Sequence, residues 1–199
     1  MRVSKATREA HRDAILSAAG RLFRARGIDA VGVAEITAAA GLTHGGFYGH
    51  FASKEALAAE ACHSQLLAGA AHWRARVERA RAAGRDPLEA LVGGYVTAAH
   101  RDRPEGGCTL AALGPEIARA GAALSGALGA GTEALLEVLT ETIASTRPAF
   151  PEDRRRSAAI AMLGAMTGGI ILARALAADP DASQAALDGA VTTALGVVT

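Results

Sequence analysis

The stretch Ile15–Leu57, ILSAAGRLFRARGIDAVGVAEITAAAGLTHGGFYGHFASKEAL, decides the fold. Its first part closes a helix over Thr7 to Arg26, in which Ile15, Ala19, Leu22 and Phe23 recur at three- and four-residue spacing and Gly27 is the stop. A short helix over Val33 to Ala40 turns Val33, Ile36 and Ala40 inward and ends at Gly41. A third, over Thr43 to Phe51, has Thr43 as its cap and places Phe47 and Phe51, four apart, on one core-facing side. Ser53 then caps a fourth, which runs on to about Ala83. Two short helices hinged at a residue that tolerates a left-handed backbone are the requirement of a helix-turn-helix. The helix after the hinge carries Thr43, His44, Tyr48 and His50 between its anchors Leu42, Phe47 and Phe51. Its polar side is therefore expected to enter a major groove, about 12 Å wide.

Composition and charge agree. Hydrophobic residues make up 50% of the 199, 50 of them alanine, and aromatics are only 4%, which favours helices over a sandwich or barrel. Residues 1–54 hold eight Lys or Arg against four Asp or Glu, while the rest of the chain is net acidic and the total is only +1. A basic N-terminal module facing a polyanion fits that division.

Further helices are predicted over Leu88–Arg101, Thr109–Ala120, Ala122–Thr146, Pro151–Ala178 and Asp181–Val198, giving about nine in total. The expected fold is all-α, with a helix-turn-helix DNA-binding domain over residues 1–54 and a helical ligand-binding and dimerisation domain over 55–199. Cys62 and Cys108 have no ligand-pair spacing, and the opening residues lack a signal peptide's apolar core, so a cytoplasmic setting is expected. The apolar stretch Ala158–Ala173 is short for a membrane span and reads as a buried helix.

The Ile15–Leu57 segment resembles the TetR family of bacterial transcriptional regulators: the Ile-Leu and Leu-Phe helix, the Ile-Thr-Ala-Ala-Ala-Gly turn, Tyr48 with Phe51 three later, and Ser-Lys-Glu opening the fourth helix. The resemblance implies phosphate contacts at Thr37, Tyr48, His50 and Lys54, and base-edge contacts at Thr43, His44, Gly45 and Gly46. Lys5, Arg8 and Arg12 are added as contacts from the leading helix. Three glycines (45, 46 and 49) in so short a helix depart from the common pattern, which leaves base reading to His44, Thr43 and Tyr48 or to close backbone approach and DNA shape.

Beyond residue 58 the resemblance is one of architecture. The scarce large or polar side chains Trp73, Tyr95, His100, Cys108, Met162 and Met166 are the candidates for an effector pocket, with His63 and His72 as further polar candidates. Cys108, in GGCTLAAL before a helix, is also a candidate electrophile or oxidant sensor, while Cys62 reads as structural. Gly164, Gly168, Ile171 and Leu172, with Leu187, Val191 and Leu195, are the expected faces of a symmetric four-helix dimer interface. No HExxH, P-loop, GxSxG or dinucleotide fingerprint is present, and Glu133, Glu137 and Glu141 recur as on a solvated face. A Cys108–His100 enzyme and a constitutive DNA binder without effector are the rival readings. The expectation is a homodimeric repressor, released from a palindromic double-stranded operator by a small molecule, without metal or cofactor and without a membrane.

Overall fold

The computed structural model describes residues 4–199, apart from the side chain of His44. Ten α-helices and one 3-10 turn make up the described residues: α1 Lys5–Arg26, α2 Val33–Ala39, α3 His44–Phe47, α4 Lys54–Ala82, α5 Pro87–Tyr95, α6 Ala98–Asp102, the turn Pro104–Gly106, α7 Thr109–Ile117, α8 Ala122–Thr146, α9 Glu152–Ala175 and α10 Pro180–Gly196. Nine helices become ten because the predicted Leu88–Arg101 helix breaks at Val96–Thr97. Thr97 is extended (φ −137°), and its hydroxyl accepts from the His100 amide, so a β-branched cap residue starts a new helix there.

Side-chain caps fix five of the ten α-helix starts among the described residues. Ser4 caps α1 and Ser53 caps α4, each hydroxyl 3.1 Å from an amide three residues on. Asp86 and Asp179 do the same for α5 and α10, both ahead of a proline in the first turn.

Two cores follow, joined by α4. Ile15, Phe23, Ile36, Phe47, Phe51 and Leu57 fill the first, which also takes Leu113 and Ile117 from α7 and Leu124 from α8. The second gathers Leu66, Trp73 and Val77 of α4 with residues of α5 and α8–α10. A helix of 29 residues therefore runs from one core into the other over about 44 Å at 1.5 Å per residue. Any displacement of its far half must be felt near Leu57.

Helices α8 and α9 are each long and apolar enough to cross a membrane by length and composition, but both lie in the helical body, α8 along α4 and α9 along α10. At Gly169 a side chain would collide with the Ala190 methyl, so the glycine lets α9 and α10 approach closely within one chain.

Candidate nucleic-acid interface and effector cavity

The hinge after α2 is a Schellman turn. Gly41 has φ +72°, its amide donates to Ala38 O, and the Leu42 amide reaches back to Thr37 O at 2.8 Å. Leu42 then packs half-buried on the first core while Thr43, extended at φ −82°, starts α3. The α-helix after it spans only His44–Phe47, shorter than the expected Thr43–Phe51, since glycines 45, 46 and 49 weaken it. Amides of His50 and Phe51 still donate to Phe47 O (2.9 and 3.0 Å), so the chain stays coiled to Phe51.

Phe47 and Phe51 are buried in the core, whereas Tyr48 is 64% exposed and stands edge-on to Phe47. Thr43 and Gly45 are also exposed, and a Cβ on Gly45 or Gly46 would meet nothing within 4 Å. Neither glycine has a positive φ. Packing and backbone geometry therefore explain neither one, and both leave bare backbone on the outer side of the segment. The His44 side chain, named above as a base reader, lies outside the described residues.

Thr37 is a correction. Its side chain is 1% exposed, and its hydroxyl donates to the Val33 and Ala34 carbonyls of its own helix, so it is turned into the fold and away from a phosphate. Arg12, though partly exposed, is engaged within the chain: its guanidinium grips both oxygens of Glu60 and lies 4.8 Å over the Phe51 ring, which ties α1 to α4. Arg8 donates to Gly49 O at 2.7 Å and holds the end of the recognition segment in place. Lys54 sits in the first turn of α4, and its ammonium donates to Asp29 O at 3.3 Å. His50 is half-buried beside His11, and with Lys5, Arg8, Glu9 and Arg12 it lines a small concavity. Burial, then the charges of Arg8, His11 and Arg12, pull its pKa below the usual histidine value, so the ring is neutral in the free protein near pH 7.

A cavity of about 480 Å³ lies under α4, α5, α6 and the turn before α7. Trp73, Tyr95, His100 and Cys108 of the expected pocket residues line it, and so does His72. Met162 and Met166 do not: α9 turns them into the second core, where both are fully buried. Sequence reasoning missed the arginines on its wall, Arg24 from α1, Arg76 and Arg103. The available signal was Gly94: the Arg76 guanidinium occupies the space that a Cβ there would fill.

His100 is locked by its surroundings. Nε2 accepts the Cys108 amide at 2.9 Å, so Nδ1 carries the proton and donates to Tyr95 O, also at 2.9 Å. Burial lowers its pKa, against the hydrogen bond to Tyr95 O. Its ring lies where a Cβ on Gly107 would stand. Cys108 is half-buried on the cavity wall, whereas burial pushes the Cys62 thiol up to about 11 and leaves it protonated.

The segment that forms this wall is tied to its neighbours by side chains meeting main-chain groups. Arg24 donates twice to Glu105 O (2.6 and 3.0 Å), and Arg174 of α9 donates to the carbonyls of His100, Arg101 and Ala111. Pro115 has no amide for Ala111 O, and Arg174 supplies the missing donor. On the other side Glu116 accepts from the Ile28 and Asp29 amides (2.8 and 3.2 Å), at the entrance to the helix-turn-helix.

On the outside of α9, Ile160 and Leu172 are each 52% exposed and Ile171 is exposed with them. Gly164 and Gly168 lie between, and a Cβ on either would stand in open space. Leu187 points the other way: only 3% exposed, it belongs with Ala190 and Ala194 to the stripe of α10 that packs, with Val198 just beyond the helix, into its own chain. Val191 and Leu195 flank that stripe, half-buried. Among the described residues no group of three or more His, Cys, Asp or Glu is placed to hold a metal.

A hinged pair of helices on a three-helix head, carried by a helical body with a cavity, is a helix-turn-helix architecture. Residues 15–61 match the family model described as bacterial regulatory proteins, tetR family, over the helix-turn-helix head. The fold is shared with the crystal structure of a TetR-family regulator from Cytophaga hutchinsonii, at a TM-score of 0.76 and 22% identity over 100% of this chain and 99% of that one. The reduced form of NemR from E. coli gives 0.74 and 18%, over 92% of this chain and 97% of the other. The fatty acid degradation regulator FadR from Bacillus halodurans gives 0.71 and 18%, over 98% and 97%. No curated protein matches the sequence.

Proposed function

We propose that the chain is a homodimeric, effector-responsive repressor. Two helix-turn-helix heads, related by a two-fold axis, bind a palindromic operator in successive major grooves, roughly 34–36 Å apart. Tyr48, His50 and Lys54 hold phosphates, Lys54 at a capped helix N-terminus where free amides add to its charge. Thr43, His44 and the bare backbone of Gly45 and Gly46 face the base edges. The exposed stripe of α9 (Ile160, Gly164, Gly168, Ile171, Leu172), with the adjoining face of α10, forms the dimer contact.

The observation that carries the effector reading is a sharing of parts. Arg24 belongs to α1 of the head and lines the cavity, and α7, which follows the cavity wall, binds the head through Glu116. A ligand that moves the α6–α7 segment therefore moves α1 and the hinge with it. It releases DNA only if it favours the spacing that does not fit the operator, and operator DNA then weakens ligand binding by the same factor. Repression, a cytoplasmic setting and the absence of catalysis follow from this reading.

The test is a search of the DNA upstream of the gene for an inverted repeat, followed by a mobility shift on it at fixed salt. Lys54→Ala should weaken operator and random duplex alike and reduce the slope of log K against log salt by about 1. Unchanged binding in Lys54→Ala and in a Tyr48→Ala variant would exclude this face. A second reading, favoured by the position of Cys108 on the cavity wall, is release by thiol modification; a Cys108→Ser protein that responds normally to the inducer excludes it.

A further inference from the structure

The cavity wall is one-sided in charge: its lining residues include Arg24, Arg76 and Arg103 but no Asp or Glu. Some guanidinium groups elsewhere in the chain are paired with a carboxylate, while others, such as Arg8, Arg21 and Arg174, are not. Arg12, Arg26, Arg74, Arg81, Arg101, Arg147 and Arg156 each meet a carboxylate within 4 Å, and among the described residues the cavity arginines form no such pair. Arg24 is the extreme case. It is only 8% exposed, yet its partners are neutral, the Glu105 carbonyl and the Gln65 side-chain oxygen at 2.9 Å. A buried cation with neutral partners alone is costly, and an incoming anion offsets that cost. Arg76 is held over Gly94 with only His72 Nε2 nearby at 3.5 Å, a weak contact for a charged donor.

Beside the arginines and the polar residues Gln65, His72 and Thr109, the wall is apolar and aromatic. Trp73 and Tyr95 meet edge-to-face with centroids 5.5 Å apart, and Leu66 and Leu135 lie beside them. The Tyr95 hydroxyl is engaged with Thr167, and His100 spends both ring nitrogens on the main chain, so neither offers a free polar group. Taking this cavity as the effector site proposed above, we infer that its ligand is a small organic anion. An oxyanion head is held by Arg24 and Arg76, and an apolar body of drug-like size lies against Trp73, Leu66 and Leu135. Because Arg24 also holds Glu105 O, an anion that draws its guanidinium inward loosens the tie between α1 and the wall.

Two probes that differ in charge test this: 8-anilinonaphthalene-1-sulfonate and the uncharged N-phenyl-1-naphthylamine. Trp73 is the only tryptophan of the chain, so energy transfer from it reports binding at this wall. The full-length protein should bind the sulfonate about tenfold or more tightly than the amine. Arg76→Gln should lose that preference while keeping the amine's affinity, and Arg76→Lys should retain part of it. Equal affinities for the two probes, a preference untouched by Arg76→Gln, or no quenching of Trp73 by either would overturn the anion assignment. The two readings separate on the operator. Sulfonate binding of the expected kind without operator release refutes the effector role and leaves the anion site standing. Release by the amine, but not by the sulfonate, does the reverse.

Discussion

Gly45 and Gly46 put the clearest choice between stability and function at the scale of single residues. A Cβ at either would meet nothing, so Gly45→Ala should stabilise the free protein by up to about 1 kcal/mol in urea unfolding, as expected for a helix interior. If the bare backbone lies against DNA, the same substitution should weaken operator binding. A variant both more stable and fully active would show that the glycines have no role at the groove. His50 gives the second prediction. Its pKa in the free protein is below the usual value, and a phosphate neighbour raises it in the complex. DNA binding should therefore take up a proton, with affinity rising as pH falls from 8 to 6, and His50→Gln should flatten that dependence. His100 acts on stability with the opposite preference. Its folded pKa lies below the unfolded value near 6.5, so its contribution is present above that value and is lost as pH falls below it. Between pH 7 and 5 the wild-type melting temperature should drop further than that of His100→Gln.

The helices show what was legible in the chain. Periodicity, Gly41 and the Ser53 cap gave the head, because local spacing and one positive φ suffice to specify it. The break at Thr97 was hidden inside a run that reads as helix. It is stabilised from outside, by Arg174 on the carbonyls of His100 and Arg101, a contact more than 70 residues away in sequence. Met162, Met166 and Leu187 were misplaced for a related reason: in an alanine-rich helix a large side chain marks a face, but only packing says which side is core. Thr37 illustrates the limit of carrying a contact over by position, since a buried hydroxyl satisfied by its own helix has no donor left for phosphate. Arg24 went unnoticed as a pocket residue because it lies on α1, 41 residues or more from every other lining residue in sequence. At this scale the coupling element is α7. Glu116→Ala leaves two amides without an acceptor and should cost about 1–3 kcal/mol in unfolding, whereas Glu116→Gln keeps one carbonyl oxygen and most of that stability. If α7 transmits the signal, the Gln variant should bind operator but respond less steeply to inducer.

Two copies are required for the whole molecule to read a palindrome. On α9 the exposed aliphatic side chains Ile160, Ile171 and Leu172 lie with the bare glycines 164 and 168 on one stripe. A double Ile160→Glu, Leu172→Glu variant should sediment as a folded monomer and lose operator affinity by orders of magnitude, while its helical circular dichroism is retained. A variant that stays dimeric would place the two-fold contact elsewhere. Because α4 joins both cores, the proposed dimer through α9 would fix the bodies while the N-terminal half of α4 carries each head, so a change in head spacing would have to pass along α4.

Varying the separation of operator half-sites tests that geometry most directly. A palindrome should be bound tightly at its natural spacing, lose most of its affinity when five base pairs are inserted at the centre, and lose the same again when one half-site is scrambled. If a single half-site is held as firmly as the full palindrome, and the insertion makes no difference, the two heads do not act as a pair and the account is wrong.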